Sequence, residues 1–363
     1  MDKPITLSAA QKAAVRRYVE RFRRYMDTPE FQQDQEQRLK RVTFFQQKLP
    51  GLLEDLSETD VEALLSQLWA TAAWGNKTYL AQKIVNDNGL QALRHQFKQL
   101  LTSDDPEEAY GQFLERIKGL GPASTTEILA YVHPDRCGIW NRRARDALRI
   151  LGITDPVNTG KYHLSVQEYR KFNRLLQAIA EELRSAGIPD VDLLMVDFFL
   201  YEIARPGPGV GVGLPEKPTT PKIASFDHDE VRDLIAQIGT SLGFDTDMEV
   251  KIAHGAKVDV VWRARIANLG IVKYVFEVHR SGSIDSLLLN LQKARSAHSV
   301  QKVIAVSDED QLEQIRRECE GLPEEFRRAL RFWPVSDVVQ TADLLQRVME
   351  SIGRLGLIED TAS

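Results

Sequence analysis

The stretch that most constrains how this chain can fold is the Gly- and Pro-rich run at residues 205–222. It reads RPGPGVGVGLPEKPTTPK and holds four glycines and five prolines. Proline removes a backbone donor and glycine adds backbone freedom, so this run cannot form the interior of a helix or strand. Apolar residues recur at helical spacing before it, whereas helix and strand patterns alternate after it. We therefore predict a multidomain chain, with an all-α domain at 1–204, a linker at 205–222 and an α/β domain at 223–363.

The composition is that of an ordinary globular protein. The 363 residues are enough for two or three domains, and the net charge of −5 means that any nucleic-acid binding must use local basic patches. Cys137 and Cys319 are far apart, which argues against a disulfide framework or a zinc site. No apolar run approaches the length of a membrane span, and the N-terminus lacks the apolar core of a signal peptide. We therefore expect a cytoplasmic protein.

The motif with the clearest functional meaning lies in residues Ile117–Ile153, which read IKGLGPASTTEILAYVHPDRCGIWNRRARDALRILGI. Gly119 and Gly121 permit positive φ and a close approach of another backbone. Pro122 suits the first turn of a helix, where its missing N–H would be unpaired anyway. The pattern predicts two helices joined by a glycine hairpin, with backbone N–H groups at the second helix start that suit a phosphate. An ordinary helix–turn–helix corner is the structural alternative.

This segment resembles the helix-hairpin-helix family, particularly its DNA glycosylase branch. In that branch the hairpin is followed by a loop and by a helix that carries the catalytic aspartate. The resemblance places Asn141 at the aspartate position and Ala123 at the position of the hairpin lysine of the bifunctional enzymes. An amide cannot serve as a general base or stabilise a cationic intermediate as a carboxylate does. The module therefore resembles a glycosylase-type DNA binder that has lost its chemistry.

A closer resemblance, over roughly residues 50–160, is to the N-terminal helical domain attached to some restriction-type AAA+ ATPases. Those domains carry similar Lys-Gly-Leu-Gly-Pro-Ala and Ile-Trp-Asn-x-Arg-Ala-Arg patterns. Arginines at a helix start oppose the helix dipole, so either DNA phosphate or internal carboxylates should compensate them. The residues that we expect to bind DNA are Lys118, Gly119, Gly121, Ser124, Thr125, Trp140, Asn141, Arg142, Arg143 and Arg145.

Two further features of the helical part have two interpretations each. The first predicted helix, at residues 8–27, has a basic surface that is either a solvated face or a phosphate contact. Its arginines are Arg16, Arg17, Arg21, Arg23 and Arg24. An aromatic and polar cluster could stack on an extruded base or belong to the core. It comprises Trp69, Trp74, Gly75, Asn76, Lys77 and Tyr79.

Two carboxylates in the C-terminal part suggest chemistry. Strand patterns at Lys257–Ile266 and Lys273–Arg280 flank a turn and predict a hairpin. Asp259 lies on the first of these strands and Glu277 on the second, each between apolar neighbours. A carboxylate in such surroundings is costly to bury unless it is paired or binds a metal, and two converging carboxylates can hold Mg²⁺. The alternative is that both side chains face solvent on one side of the sheet.

The order of elements and acids over about 225–340 resembles the PD-(D/E)xK nuclease superfamily. The resemblance implies a restriction-endonuclease-like α/β fold with a mixed sheet, and Mg²⁺ or Mn²⁺ bound by Asp259 and Glu277. Such a metal can activate water and stabilise charge on a scissile phosphate. The resemblance also places accessory groups at Glu230, Glu249 and Gln292.

The lysine of that superfamily is His279 in this chain, which the resemblance makes a catalytic position. A histidine can accept a proton near neutral pH, but a neutral imidazole supplies no fixed positive charge. Lys251 or Lys293 could supply that charge from a neighbouring element.

These patterns lead to competing functional hypotheses. The first is a metal-dependent DNA endonuclease in restriction or anti-phage defence, directed at modified or otherwise unusual DNA. The second is a catalytically inactive DNA-binding adaptor or reader, which Asn141, Ala123 and His279 favour. A DNA glycosylase is a third. The sequence has no Walker P-loop, so an ATPase would be a separate partner acting in trans. A homodimer would suit cleavage of both DNA strands.

Overall fold

The structure is a computed structural model that describes residues 5–72, 77–205, 226–253, 256–266 and 270–353. The chain forms two compact units, the first within the residues up to 205 and the second within those from 226 onward. Apart from Arg205, the predicted linker at 205–222 lies outside the described residues. Among the described helices, none combines the length and the apolar character needed to cross a membrane.

The first unit is helical throughout its described residues, as the sequence predicts. Its α-helices are α1 (Ala9–Met26), α2 (Pro29–Thr43), α3 (Leu49–Leu52), α4 (Glu58–Ser66), α5 (Lys77–Asn88), α6 (Leu90–Thr102), α7 (Pro106–Arg116), α8 (Pro122–Val132), α9 (Arg142–Ile150), α10 (Val166–Ser185) and α11 (Leu193–Ala204). A π-helical turn at Phe44–Lys48 joins α2 to α3, and a 3₁₀ turn covers Trp69–Thr71.

Local sequence explains where several of these helices begin and end. Ser57 starts α4 by accepting the N–H of Asp60, whose carboxylate accepts the N–H of Ser57. Gly89 separates α5 from α6. Gly89 has φ +79°, a left-handed conformation that glycine adopts without a Cβ penalty.

Helix α8 lies at the centre of the first unit. Its residues from Ser124 to Tyr131 are all buried, and the Tyr131 ring stacks on Phe45 with ring centroids 5.4 Å apart. Glu127 is buried on the same helix. Its carboxylate accepts hydrogen bonds from the N–H groups of Trp69 and Ala70, each at 2.8 Å, and from the Tyr131 hydroxyl at 2.8 Å. The glycine hairpin therefore leads directly into a fixed central helix.

The arginines of α1 mainly hold that helix against α10 and α11. Arg16 pairs with Glu182, and Arg21 Nε lies 2.8 Å from Glu202 Oε1. Arg23 donates to the carbonyl of Ala186. These three side chains have structural partners, so their contribution to a basic surface is smaller than the sequence pattern suggests.

The second unit combines helices with a sheet, as the sequence predicts. Its elements are α12 (His228–Ser241), β1 (Asp245–Ala253), β2 (Ala256–Ile266), β3 (Gly270–Val278), α13 (Ile284–Arg295), β4 (Val300–Ser307), α14 (Glu309–Glu318), α15 (Glu324–Ala329), β5 (Leu330–Pro334) and α16 (Val335–Gly353). The sheet order is β1-β2-β3-β4-β5. Strands β1 to β3 are antiparallel, and β3 to β5 are parallel, so the sheet is mixed.

Apolar residues cover both faces of this sheet. On one face, α12 and α16 pack on Val260, Trp262 and Phe276. On the other, α13, α14 and α15 pack on Val261 and Val275. The two apolar neighbours of Asp259 on β2 belong to different cores, Val258 to the core under α13, α14 and α15 and Val260 to the core under α12 and α16.

Gly239 on α12 is a position where close packing can be tested. A Cβ atom there would lie 2.4 Å from Nε1 of Trp262, and that Nε1 donates to the carbonyl of Ile235 at 3.0 Å. The ring cannot move away without losing its hydrogen bond. We expect Gly239→Ala to destabilise the second unit by ~1–3 kcal/mol in calorimetric unfolding of the full chain. Gly321→Ala, where a Cβ would meet nothing within 4 Å, is the control; equal effects of the two changes would contradict the prediction.

Candidate functional site

The glycine hairpin between α7 and α8 has the geometry that the sequence predicts. Gly119 has φ +86°, and both Lys118 and Gly119 are exposed. Helix α8 begins with Gly121 as its N-cap and Pro122 in its first turn, without a side-chain cap. The first N–H groups of a helix have no partner within that helix. The hairpin therefore presents backbone N–H groups at a positive helix end, where an anion is favoured.

Asn88, the last residue of α5, braces this hairpin and was not singled out by the sequence. Its side-chain oxygen accepts the N–H of Lys118 at 2.7 Å, and its amide donates to the carbonyls of Lys118 at 3.0 Å and Ile84 at 2.7 Å. The brace satisfies the peptide groups just before the turn. It thereby fixes the position from which the turn enters α8.

We expect Asn88→Ala to loosen the hairpin without unfolding the domain. The change removes the acceptor for the Lys118 amide, whose hydrogen exchange should accelerate by ~10-fold or more. Exchange measured residue by residue in the full chain tests this, with Thr102→Ala as the control. Thr102 donates to the carbonyl of Lys98 near the end of α6. Unchanged protection of Lys118 in Asn88→Ala would show that the brace is dispensable.

Four of the residues expected to bind DNA have side chains buried inside the domain. Trp140 is 1% exposed, Thr125 0%, Arg145 3% and Ser124 7%. Trp140 Nε1 donates to the carbonyl of Tyr162, and an Arg145 guanidinium N–H donates to the carbonyl of Lys161. The Thr125 hydroxyl donates to the carbonyl of Gly121. Packing and internal hydrogen bonds already use these side chains, and DNA binding by these four residues stays a prediction.

The other two arginines of α9 that we expect to bind DNA, Arg142 and Arg143, also have internal partners. Arg142 Nε lies 3.6 Å from the Asp146 carboxylate, and the Arg143 guanidinium lies over the ring of Tyr201, 4.7 Å from its centre. Of the two explanations that the sequence left open, internal compensation is the one that the structure contains. Both side chains are only partly buried, so contact with a further anion is compatible with these partners.

Asn141 serves as the N-cap of α9, where its side-chain oxygen accepts the N–H of Ala144 at 2.8 Å. The amide thus takes a local structural role at the position that the glycosylase resemblance assigns to an aspartate.

Trp69 of the aromatic cluster is half-buried, and the Arg41 guanidinium lies 4.0 Å from the centre of its ring. Trp74, Gly75 and Asn76 lie outside the described residues, as does the side chain of Tyr79.

The glycine hairpin and the capped helix that follows it define the first unit as a helix-hairpin-helix domain of the DNA glycosylase type. The model of the family described as "Putative 8-oxoguanine DNA glycosylase OGG-like protein" matches residues 8–195. This match covers just over half of the 363 residues, so the chain belongs to that family. Comparison with curated proteins and with solved structures gives no match. The match includes the hairpin and Asn141 but excludes the whole second unit.

In the second unit, Asp259 and Glu277 lie together where β2 and β3 stop pairing. The ladder pairs Val260 with Phe276, and beyond that pair the two carboxylates bind the neighbouring backbone. Asp259 Oδ2 accepts the N–H of Val278 at 2.7 Å, and Glu277 Oε2 accepts the N–H of Asp259 at 3.2 Å. The structure therefore brings these two predicted residues together, each fixed by a peptide group of the other strand.

Two residues that sequence reasoning missed complete this cluster. His228, the first residue of α12, places Nε2 3.3 Å from Asp259 Oδ2. Asn290 on α13 donates to Glu277 Oε1 at 3.2 Å and to the carbonyl of Lys257 at 3.3 Å. His228 lies in the sequence Asp-His-Asp-Glu, which is typical of the capped start of a helix. The local sequence therefore gives no indication that His228 lies beside the two carboxylates. Asn290 lies two positions before the predicted Gln292, and two positions rotate a helix by ~200°.

Burial and neighbouring charges shift the pKa values of Glu277 and His228 in this cluster. Burial, followed by the negative charge of Asp259, raises the pKa of Glu277 to about 7. The hydrogen bond to Asp259 raises the pKa of His228 to about 9, against the opposing effect of burial. His228 is therefore protonated at neutral pH, with Nε2 3.3 Å from Asp259 Oδ2. The Glu277 carboxylate is the group of this cluster whose charge is poorly compensated.

The structure separates His279 from this pair. His279 is 7% exposed, and its backbone N–H donates to the carbonyl of Val306 at 2.8 Å. Burial lowers its pKa, and its Nε2 has no hydrogen-bond partner among the described residues. The charged group that influences it is Asp308 rather than Asp259 or Glu277. We therefore do not retain His279 as the residue next to the two carboxylates, and His228 occupies that place.

The residues that the nuclease resemblance assigns as accessory groups are Glu230, Glu249 and Gln292, and each has its own surroundings. Glu249 has φ +55° and binds Lys257 Nζ at 2.8 Å and Arg232 at 3.2 Å; the bond to Lys257 lowers its pKa. Glu230 lies in the first turn of α12, where its N–H bonds Asp227. Gln292 lies in the middle of α13, half-buried.

The donor set around Asp259 and Glu277 fits a divalent cation. Both side chains supply carboxylate oxygens, which Mg²⁺ and Mn²⁺ accept as ligands, and a cation would offset the repulsion that raises the pKa of Glu277. Within the described ranges, no group of three or more His, Cys, Asp or Glu side chains is placed so that it could hold a metal ion. The two carboxylates therefore form part of a ligand set, which water or substrate oxygens would complete.

Proposed function

We propose that this protein binds DNA through its helical unit and hydrolyses DNA phosphodiester bonds in its second unit with a divalent cation. The observation that carries the proposal is the convergence of Asp259 and Glu277 where β2 and β3 separate. Membership of a DNA glycosylase-like family supports DNA as the partner of the first unit. The mixed sheet, with its order α12-β1-β2-β3-α13-β4, supports a restriction-endonuclease-like fold for the second.

We assign a separate role in this reaction to each group of residues. Asp259 and Glu277 would hold the cation, Mg²⁺ or Mn²⁺, which when bound polarises a phosphate oxygen and activates water. Asn290 orients Glu277 by donating to Oε1 and, through its bond to the Lys257 carbonyl, ties α13 to β2. The N–H groups at the start of α8 would bind the DNA backbone without reading its sequence.

A role in restriction or anti-phage defence, with modified DNA as the target, is the setting that we propose for this activity. The resemblance of the helical part to domains of restriction-type ATPases supports it. The family description names 8-oxoguanine, a modified base, which also favours an unusual DNA over an unmodified one. A homodimer and a separate ATPase partner are consistent with this role.

A cleavage assay tests the proposal. Plasmid and phage DNA, with and without modified bases, are incubated with the full chain in Mg²⁺, Mn²⁺ or EDTA, alongside Asp259→Asn. We expect cleavage that requires a metal and is lost in Asp259→Asn. Metal-independent cleavage, or full activity in that variant, would place the active site elsewhere.

An oligonucleotide with 8-oxoguanine, assayed for base release, tests the glycosylase alternative. We expect no base release, because Asn141 caps α9 at the position of the catalytic aspartate.

A catalytically inactive DNA reader is the second candidate. The observation that favours it is the burial of His279 at the position that the nuclease resemblance assigns to a catalytic lysine. A reader would bind DNA with the same hairpin and would cut no DNA with any metal. Tight binding together with no cleavage in the assay above would favour this candidate.

A further inference from the structure

Each of the two carboxylates is held by one backbone N–H and by one side chain from a helix packed on the sheet. Glu277 Oε2 accepts the N–H of Asp259, and Glu277 Oε1 accepts the side-chain amide of Asn290 on α13. Asp259 Oδ2 accepts the N–H of Val278 at 2.7 Å, and Nε2 of His228 on α12 lies 3.3 Å from the same oxygen. Helices α12 and α13 pack on opposite faces of the sheet. His228 and Asn290 therefore have matching places on the two sides of the carboxylate pair.

This arrangement leaves one oxygen of Asp259 available. Within the ranges that the structure describes, Oδ1 has no hydrogen bond or ion pair, whereas Oδ2 has two partners. The terminal torsion of an aspartate side chain is broad, so a carboxylate that is held by one donor can rotate. Two donors on Oδ2, from two different elements, restrict this rotation and thereby fix the direction of Oδ1. The Asp259 side chain is 19% exposed, so solvent can still reach the carboxylate.

The His228 ring is itself supported by its own helix. Asp227 caps α12 by accepting the N–H of Asp229 at 3.0 Å, which fixes the first turn on which His228 lies. The second ring nitrogen of His228, Nδ1, lies 3.5 Å from Asp229 Oδ1, and Arg232 Nη1 donates to that oxygen at 2.9 Å. A carboxylate beside one ring nitrogen orients the whole imidazole. The support therefore directs Nε2 towards Asp259.

We propose that His228 is a positioning residue, which holds Oδ2 of Asp259 so that Oδ1 is the oxygen offered to the cation. This inference deepens the proposed function and rests on it for the cation. His228 does not bind the metal itself, because its Nε2 is engaged by Oδ2 of Asp259. Groups that orient a metal-binding side chain typically contribute ~10–100-fold to metal affinity or activity. His228 thus does for Asp259 what Asn290 does for Glu277.

Two amide substitutions test this role, because they place a donor at different points. The amide nitrogen of His228→Gln can reach the place of Nε2, whereas the shorter side chain of His228→Asn reaches only the place of Nδ1. Calorimetry measures Mn²⁺ binding to the tag-free full chain without DNA. We expect His228→Asn to bind Mn²⁺ ~10-fold or more weakly than the wild type, and His228→Gln to stay within ~3-fold of it. His298→Asn, at an exposed histidine of the same unit, is the control and should match the wild type.

Cleavage over a series of Mn²⁺ concentrations should show the same order, with His228→Asn needing more metal for half-maximal activity. The His228 side chain is 36% exposed, so neither change should disrupt the core, and thermal unfolding of both variants checks this.

Unchanged Mn²⁺ affinity in His228→Asn, or equal losses in the two amide variants, would overturn the inference and leave the proposed function intact. Absence of Mn²⁺ binding in the wild type would overturn both. Mn²⁺ binding that follows the expected order, in a protein that cuts no DNA, would support the inference and overturn the proposed function alone.

Discussion

Glu277→Gln is expected to reduce DNA cleavage by ~100-fold or more while making the metal-free second unit more stable at pH 8. The loss of cleavage follows from removal of a negatively charged ligand next to Asp259. The gain in stability follows from the raised pKa of Glu277, which shows that the folded protein tolerates its charge poorly. A residue retained at a cost in stability is typical of functional sites.

The direction of the pH dependence follows from the pKa shift of Glu277. Its pKa rises from 4.5 to about 7 on folding, so between these values the folded state binds more protons than the unfolded state. Its contribution to stability therefore decreases as pH rises through this window. Glutamine resembles the protonated acid and has no such dependence. The stability difference between variant and wild type should be on the order of 1–3 kcal/mol at pH 8 and should shrink towards zero near pH 4.5.

Calorimetric unfolding of the full chain in EDTA, at several pH values between 5 and 8, measures this difference. Glu313→Gln on α14 is the matched control, since the Glu313 side chain is 65% exposed and lies 3.7 Å from the Arg317 guanidinium. A Glu277→Gln variant that is less stable than the wild type at pH 8 would show that the carboxylate is structural. Loss of cleavage alone could then be ascribed to damage to the fold.

The pairing of Asp259 with Glu277 could be predicted from sequence because it depends on local order. The two residues lie on consecutive strands joined by a short turn, and antiparallel pairing fixes which residues meet. His228 lies 31 residues before Asp259, and its position depends on how α12 packs on the sheet. No residue pattern near His228 carries that information, so the histidine was missed.

The same reasoning explains why the sequence did not reveal the burial of Trp140 and Arg145 in the helical unit. Trp140 and Arg145 flank the start of α9, where exposed residues often bind DNA, and their spacing alone does not reveal which way they face. Their burial results from long-range contacts, with the carbonyls of Tyr162 and Lys161 as partners. The glycine hairpin was predictable because Gly119 needs a positive φ and Pro122 marks the next helix start, and both are properties of the residues themselves.

The second large effect that we expect is on DNA binding, from a substitution in the glycine hairpin. Gly121→Asp is expected to weaken DNA binding at low salt by ~10-fold or more, while preserving or increasing stability. Gly121 has φ −83° and ψ −173°, which any residue adopts, and aspartate is among the best N-cap residues. The new carboxylate would satisfy the first N–H groups of α8 and would also repel a phosphate that binds there. The variant thus separates DNA binding from folding at a single position.

Gly121→Asn is the matched control, because asparagine caps a helix as well as aspartate but carries no charge. Fluorescence anisotropy with duplexes of several sequences, over a series of salt concentrations, measures both variants. We expect the aspartate variant to bind all sequences more weakly and to depend less steeply on salt, because a phosphate contact is lost. The asparagine variant should lie between it and the wild type, since it occupies the N–H groups without repulsion. Equal affinity of all three folded proteins would remove the start of α8 from the DNA interface, and the binding surface would then have to be sought around Arg142 and Arg143.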